Sequence, residues 1–249
     1  MRLSTRSYGD GPRTAVLVHG IMSDSTAWSQ VTSDLVERGF RVLTIDLAGH
    51  GESPRARRYS PQAWADDVVE TLEPLLERRP DLVMGHSLGG LVASIAAERI
   101  APRAVIYVDP AFGFPRGIRG ALFKLSFALM PPLRRGDLRR LNPKWSAHDI
   151  ETEAAAQRRW HRRTMLGMTD TKLFVPPLRT DAPSLVILAE RSLLVTRAVA
   201  LRMLRTGIRV VRVRGAGHTV WRDQPERFAA IVGRWLARYA PAIAGSTHP

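Results

Sequence analysis

The chain has no cysteine among its 249 residues, which excludes disulfides, thiolate nucleophiles and thiolate metal sites. Lysine is nearly as scarce: only Lys124, Lys144 and Lys172 appear among 37 basic residues, leaving 34 arginines and a formal charge of +14. That excess suits anionic partners in general. No helix-turn-helix, RNA-binding or zinc-finger pattern accompanies it, so no nucleic-acid partner is expected. No run of eighteen apolar residues is present, which argues against a transmembrane helix. The opening MRLSTRS lacks the apolar centre of a secretory signal, so a cytoplasmic location is expected. Repeats and low-complexity segments are absent. What remains is ordinary globular composition, 45% apolar and 24% charged, in a chain long enough to bury one large core.

The first half alternates short apolar runs with amphipathic stretches. Residues 14–19 (TAVLVH), 40–46 (FRVLTID), 81–85 (DLVMG) and 103–108 (RAVIYV) read as strands covered on both faces. Between them, residues 26–38, 61–78 and 88–99 read as helices, the second opened by Ser60-Pro61 and the first closed by Gly39. Strand–helix alternation with tight loops predicts a parallel sheet of βαβ units. The pattern breaks over residues 110–181, where helical signals at 119–130 and 147–165 dominate. It resumes with strands at 184–189 and 208–214 and helices at 196–206 and 223–239. The expected organisation is therefore a core formed by 1–109 and 182–240, an inserted helical segment at 110–181, and a frayed tail at 241–249.

One motif carries chemistry. GHSLG at 85–89 lies between a strand and a helix and fits the nucleophile-elbow pattern G-x-S-x-G. A reactive serine needs a sharp, strained turn that lifts its hydroxyl above the strand ends, and flanking glycines leave room for that turn. The same turn sets the N–H of Leu88 at a helix N-terminus, where partial positive charge stabilises an oxyanion.

With these features the chain resembles the α/β-hydrolase fold family over nearly its whole length. His19-Gly20 is similar to the family's HG element, which implies that the following N–H of Ile21, or that of Met22, is the second oxyanion donor. DLAGHGES at 46–53 is similar to the family's D-x-x-G-x-G-x-S loop. The 110–181 insertion stands where the family carries a cap. GAGH at 215–218 follows the last strand, which implies His218 as the catalytic base, and DQPERF at 223–228 resembles the start of the family's final helix. The implied fold class is α/β, with a mostly parallel central sheet and a helical cap inserted after Val108. No metal or organic cofactor is implied. The remaining histidines read as structural: His86 packs under the turn, His19 and His50 shape loops, and His148 and His161 lie on the insertion.

The acid is where the sequence departs from the family pattern. Its usual loop reads AERSLLV at 189–195, with Ser192 or Leu193 at the expected position. Neither can hold a histidine tautomer as a carboxylate does. Asp109, at the end of the fourth of these strands, is the favoured acid. Glu190 is the alternative within the usual loop, and a site with no functional acid is the third possibility. Asp109 could instead serve to cap the first turn of the insertion.

The expected activity is hydrolysis of a carboxylic ester, lactone or thioester of a hydrophobic small-molecule acyl substrate through an acyl-enzyme on Ser87. The alternative is a non-hydrolytic member of the fold catalysing cyclisation, elimination or C–C cleavage, and a displaced acid keeps it open. Residues 111–180 hold fourteen basic against five acidic side chains. That excess reads either as a solvated face or as a docking surface for an anionic partner such as an acidic acyl carrier protein. The apolar stretch at 121–133 could line an acyl pocket or touch a membrane surface, and stable insertion into lipid is not expected.

Overall fold

A computed structural model describes residues 1–113, 118, 122, 125, 126, 129–169 and 182–239. The helix expected at 119–130 lies largely outside the described residues, and the tail at 241–249 lies wholly outside them.

The strands are β1 (Thr5–Tyr8), β2 (Arg13–Val18), β3 (Phe40–Ile45), β4 (Leu82–His86), β5 (Val105–Val108), β6 (Ser184–Leu188) and β7 (Arg209–Arg212). They form one seven-stranded sheet in the order β1-β3-β2-β4-β5-β6-β7. Every pairing is parallel except β1 with β3. The helices described in full are α1 (Ser29–Glu37), α2 (Pro61–Leu72), α3 (Leu88–Ile100), α4 (Arg135–Leu141), α5 (Ala147–Arg159), α6 (Arg197–Arg205), α7 (Val220–Asp223) and α8 (Pro225–Tyr239).

The core has two halves because successive strand side chains point to opposite faces. Val16 and Val18 of β2 join α2, α3 and α6 through Trp64, Leu91, Val92 and Met203. Ala15 and Leu17 point the other way, joining α1 and α8 through Leu35, Phe228 and Trp235. On that second face the fully buried Trp28 stacks on Trp221, with ring centroids 4.4 Å apart. A buried aromatic pair of this kind adds about 0.5–1.5 kcal/mol beyond its area.

Several boundaries differ from the sequence expectation. Strand β1 was not expected: TRSY has no apolar run, and this edge strand gains its place by pairing with β3 rather than by burying side chains. The helix expected to reach residue 78 stops at Leu72, followed by a 3₁₀ turn at Glu73–Leu75. Pro74 accounts for this, since it lacks an N–H and clashes with the preceding turn. The helix expected at 147–165 ends at Arg159, and the chain continues as 3₁₀ helix over Arg162–Thr169. Between β5 and β6 no strand interrupts the described residues. No helix among them is long and apolar enough to cross a membrane.

Candidate active site

Strand β4 runs straight into α3 with a single residue, Ser87, between them. Its backbone stands at φ 51°, ψ −116°, a conformation that L residues seldom adopt. Two contacts hold it there: the Ser87 N–H donates to Val108 O at 3.0 Å, and Ala111 N–H donates to Ser87 O at 2.9 Å. The flanking glycines are steric requirements. A Cβ on Gly85 would stand 2.3 Å from Gly89 O, and one on Gly89 would stand 2.2 Å from Val18 O. Leu88 is the first residue of α3, so its N–H has no intrahelical acceptor. A Cβ on Gly20 would lie 3.1 Å from Ser87 Cβ, so the HG turn passes directly against the elbow and carries Ile21 to it. Met22 has a positive φ of 65°, the strained end of the same turn.

Asp109 follows β5, the neighbour of β4 in the sheet, and it too has a left-handed backbone, φ 38°. Its side chain is almost fully buried. Oδ1 accepts the Ala189 N–H at 3.1 Å, and Oδ2 lies 2.7 Å from His218 Nδ1. The structure therefore brings Asp109 and His218 together directly. Glu190 behaves differently: its Oε2 accepts the Gly215 N–H at 3.0 Å, so it braces the loop that carries His218 without touching the imidazole.

That loop is fastened from several directions. Asp223 Oδ2 accepts the Gly217 N–H at 2.7 Å, and Lys144 Nζ donates to Gly215 O at 2.6 Å. His86 Nε2 donates to His218 O at 3.0 Å, while its ring meets Trp221 edge-on at 4.8 Å. Burial, helped by the nearby His218, holds the His86 pKa well below the ordinary histidine value. His86 is thus a neutral donor linking the elbow to the histidine loop. His19 is fixed in the same manner, with Nδ1 donating to Gly20 O at 2.7 Å and Nε2 accepting Leu47 N–H at 2.9 Å.

Ser87, Asp109 and His218 all line one cavity of about 390 Å³, together with Ile21, Met22, Met165, Leu193 and Leu194. Ser87 makes no direct hydrogen bond to His218, a looseness common in free enzymes. Not visible in the sequence was the polar wall that closes this cavity. Arg222, buried on α7, donates to Glu153 Oε2 at 2.8 Å and lies 3.1 Å from Asp149 Oδ1, both carboxylates belonging to α5. Two acids four residues apart on one helix face, with an arginine just past His218, formed the only available signal. Among the described residues no cluster of side chains could hold a metal ion.

A parallel α/β sheet presenting a serine at a strained strand-to-helix turn, beside a histidine–aspartate pair, has the layout of a hydrolase. The chain belongs to the alpha/beta hydrolase family, whose model matches residues 15–231. It is 26% identical over 255 residues to the sn-1-specific diacylglycerol lipase ABHD11 of Mus musculus, covering 92% of this chain and 83% of that protein. It is 39% identical over 116 residues to the pimeloyl-[acyl-carrier protein] methyl ester esterase of Methylococcus capsulatus, covering 47% of this chain and 42% of the esterase. Among solved structures, the enol-lactonase of Burkholderia xenovorans superposes with a TM-score of 0.76 at 19% identity, covering 94% of this chain and 96% of the lactonase. A hydrolase of Pseudomonas aeruginosa gives 0.77 at 20% identity, covering 96% and 94%. These structural likenesses are likenesses of fold.

Proposed function

We propose that the protein is a serine hydrolase cleaving a carboxylic ester, lactone or thioester through an acyl-enzyme on Ser87. The observation that carries this reading is the 2.7 Å contact between Asp109 and His218 at the cavity that Ser87 lines. Asp109 keeps the proton of His218 on Nδ1, leaving Nε2 free as a base. His218 takes the Ser87 hydroxyl proton as Oγ attacks the carbonyl carbon, and the backbone N–H groups of Ile21 and Leu88 receive the oxyanion. His218 then gives that proton to the departing alcohol or thiol. Water, deprotonated by the same imidazole, releases the acid and restores Ser87. The apolar cavity side chains Met22, Met165, Leu193 and Leu194 favour a hydrophobic acyl group. In this reading residues 110–181 act as the cap, and the work is done by protein side chains and backbone without a cofactor.

The contact also argues for hydrolysis over the non-hydrolytic alternative, whose motive was a misplaced acid. Intact-mass labelling with a fluorophosphonate tests the reading: one adduct on the native protein and none on Ser87→Ala is expected. A well-folded native protein that takes no adduct would overturn it.

A second reading concerns the carrier of the acyl group. Exposed Arg134, Arg139, Arg140 and Arg158 on and around α4 and α5 favour an acidic partner, and one relative acts on an acyl carrier protein ester. Salt-sensitive turnover of a carrier-bound thioester, exceeding that of the free pantetheine thioester at low salt, is the expected result. Equal turnover of the two would remove this reading.

A further inference from the structure

His218 borders two separate spaces. One is the cavity that also holds Ser87 and Asp109, lined largely by apolar side chains with Arg222 and Glu153 on one wall. The other is an open groove of about 300 Å³ between the α4–α5 turn and the histidine loop, lined by Asn142, Lys144, Trp145, Asp223 and the glycines before His218. His218 and Thr219 are common to both. The His218 side chain is 47% exposed although its partner Asp109 is 2% exposed. Nδ1 is held at that buried carboxylate, which leaves Nε2 as the ring nitrogen available to a substrate.

The two spaces differ in chemistry. In the groove, Asp223 has both oxygens occupied, Oδ1 by the Trp145 indole N–H at 3.0 Å and Oδ2 by the Gly217 N–H at 2.7 Å. Its role there is to fasten the wall. Lys144 spends one donor on Gly215 O at 2.6 Å and has no carboxylate within ion-pair range among the described residues. An ammonium has three donors, so two remain. Asn142 gives its amide N–H to Leu138 O at 3.0 Å, which leaves its side-chain carbonyl as an acceptor.

We propose that this groove is the subsite for the leaving alcohol, and that Lys144 and Asn142 select an alcohol bearing further hydroxyl groups. The inference rests on the serine-hydrolase reading. In that mechanism the atom that must receive a proton from His218 Nε2 is the leaving oxygen, which lies by Ser87 in the cavity. The rest of the alcohol extends past His218 and Thr219, the residues the cavity shares with the groove. The acyl chain then occupies the cavity and the polyol end occupies the groove, with Lys144 donating to a hydroxyl oxygen and Asn142 accepting from a hydroxyl.

The test compares kcat/KM for 1-monooctanoylglycerol and ethyl octanoate, which share one acyl chain. The native protein should prefer the glyceryl ester by about tenfold, the scale of one hydrogen bond from a charged donor. Lys144→Met should bring the ratio near one, and Lys144→Arg should keep most of it. Asn142→Ala reads the same ratio without disturbing the bond to Gly215. A native ratio near one, or a ratio unchanged in both Lys144→Met and Asn142→Ala, overturns the proposal. Fluorophosphonate labelling separates the two levels: labelling without leaving-group discrimination removes only the groove, whereas no labelling and no ester turnover removes the hydrolase reading itself.

Discussion

Asp109 and His218, separated by 109 residues of chain, meet at 2.7 Å through Oδ2 and Nδ1, and the carboxylate is held in place by the Ala189 N–H on its other oxygen. An amide at this position keeps an acceptor for Ala189 but offers His218 the wrong tautomer. Asp109→Asn is expected to lower kcat by about 10⁴ with an unchanged circular dichroism spectrum. Glu190→Gln, which alters only a brace on Gly215, should cost far less. Steady-state kinetics on one ester decides the order, and a crippled Glu190→Gln beside a silent Asp109→Asn would reverse the assignment.

Arg222 is enclosed, with Asp149 and Glu153 as its ion partners and the Trp145 ring 4.5 Å from its guanidinium carbon. Removing the cation would strand two carboxylates that are themselves largely buried. Arg222→Met should therefore destabilise the protein by about 3–5 kcal/mol, read as a lowered midpoint in urea. Adding Asp149→Asn and Glu153→Gln to that variant should recover a large part of the loss. A double-mutant cycle showing strict additivity would mean the three side chains are not coupled.

Ala101 closes α3 in the left-handed region, φ 48°, where an alanine Cβ is strained. Ala101→Gly removes that strain at the expense of greater freedom in the unfolded chain. A net gain of about 0.5–1 kcal/mol is expected. Differential scanning calorimetry should register a higher Tm, and a lower one would show that the alanine packs more usefully than its backbone suggests.

His50 is wholly buried beside His19, and burial pushes its pKa down to about 3. Unfolded, it titrates near 6.5. Below that value the unfolded chain binds a proton that the folded chain refuses, so the stabilising contribution is complete above pH 6.5 and is lost as pH falls toward 3. The slope from this one group approaches 1.4 kcal/mol per pH unit within that window. Chemical denaturation of the native protein and His50→Gln between pH 7 and 4.5 should give a shallower pH dependence for the variant. Parallel curves would rule out His50 as a source.

Much of the architecture was legible because the parallel strands are apolar on both faces and carry their own signal. The elbow was legible for a steric reason: only glycine fits where Gly85 and Gly89 nearly touch backbone oxygens. Strand β1 was hidden, since an exposed edge strand can be held by backbone pairing with no apolar pattern. The Arg222 clasp was hidden for a related reason. It joins α5 to α7 across about 70 residues, and nothing local distinguishes Asp149 and Glu153 from solvated helix residues. Asp109 lay between these cases, visible as a carboxylate at a strand end but not distinguishable from a cap until its distance to His218 was seen.

Strands β5 and β6 are direct neighbours, paired from Val105 with Ser184 to Val108 with Ile187. The sheet is thus already closed before the intervening chain is taken into account, and the length of that chain bears weakly on its closure. Evolution, or an engineer, can exchange much of the passage beyond Ala111 for another and leave the Ser87 turn and the Asp109–His218 pair where they stand. The constraints on such a graft are chemical: a replacement must fasten the Gly215–His218 loop as Lys144 and Trp145 do, and must bring its own anions for Arg222 or be matched by removal of that cation.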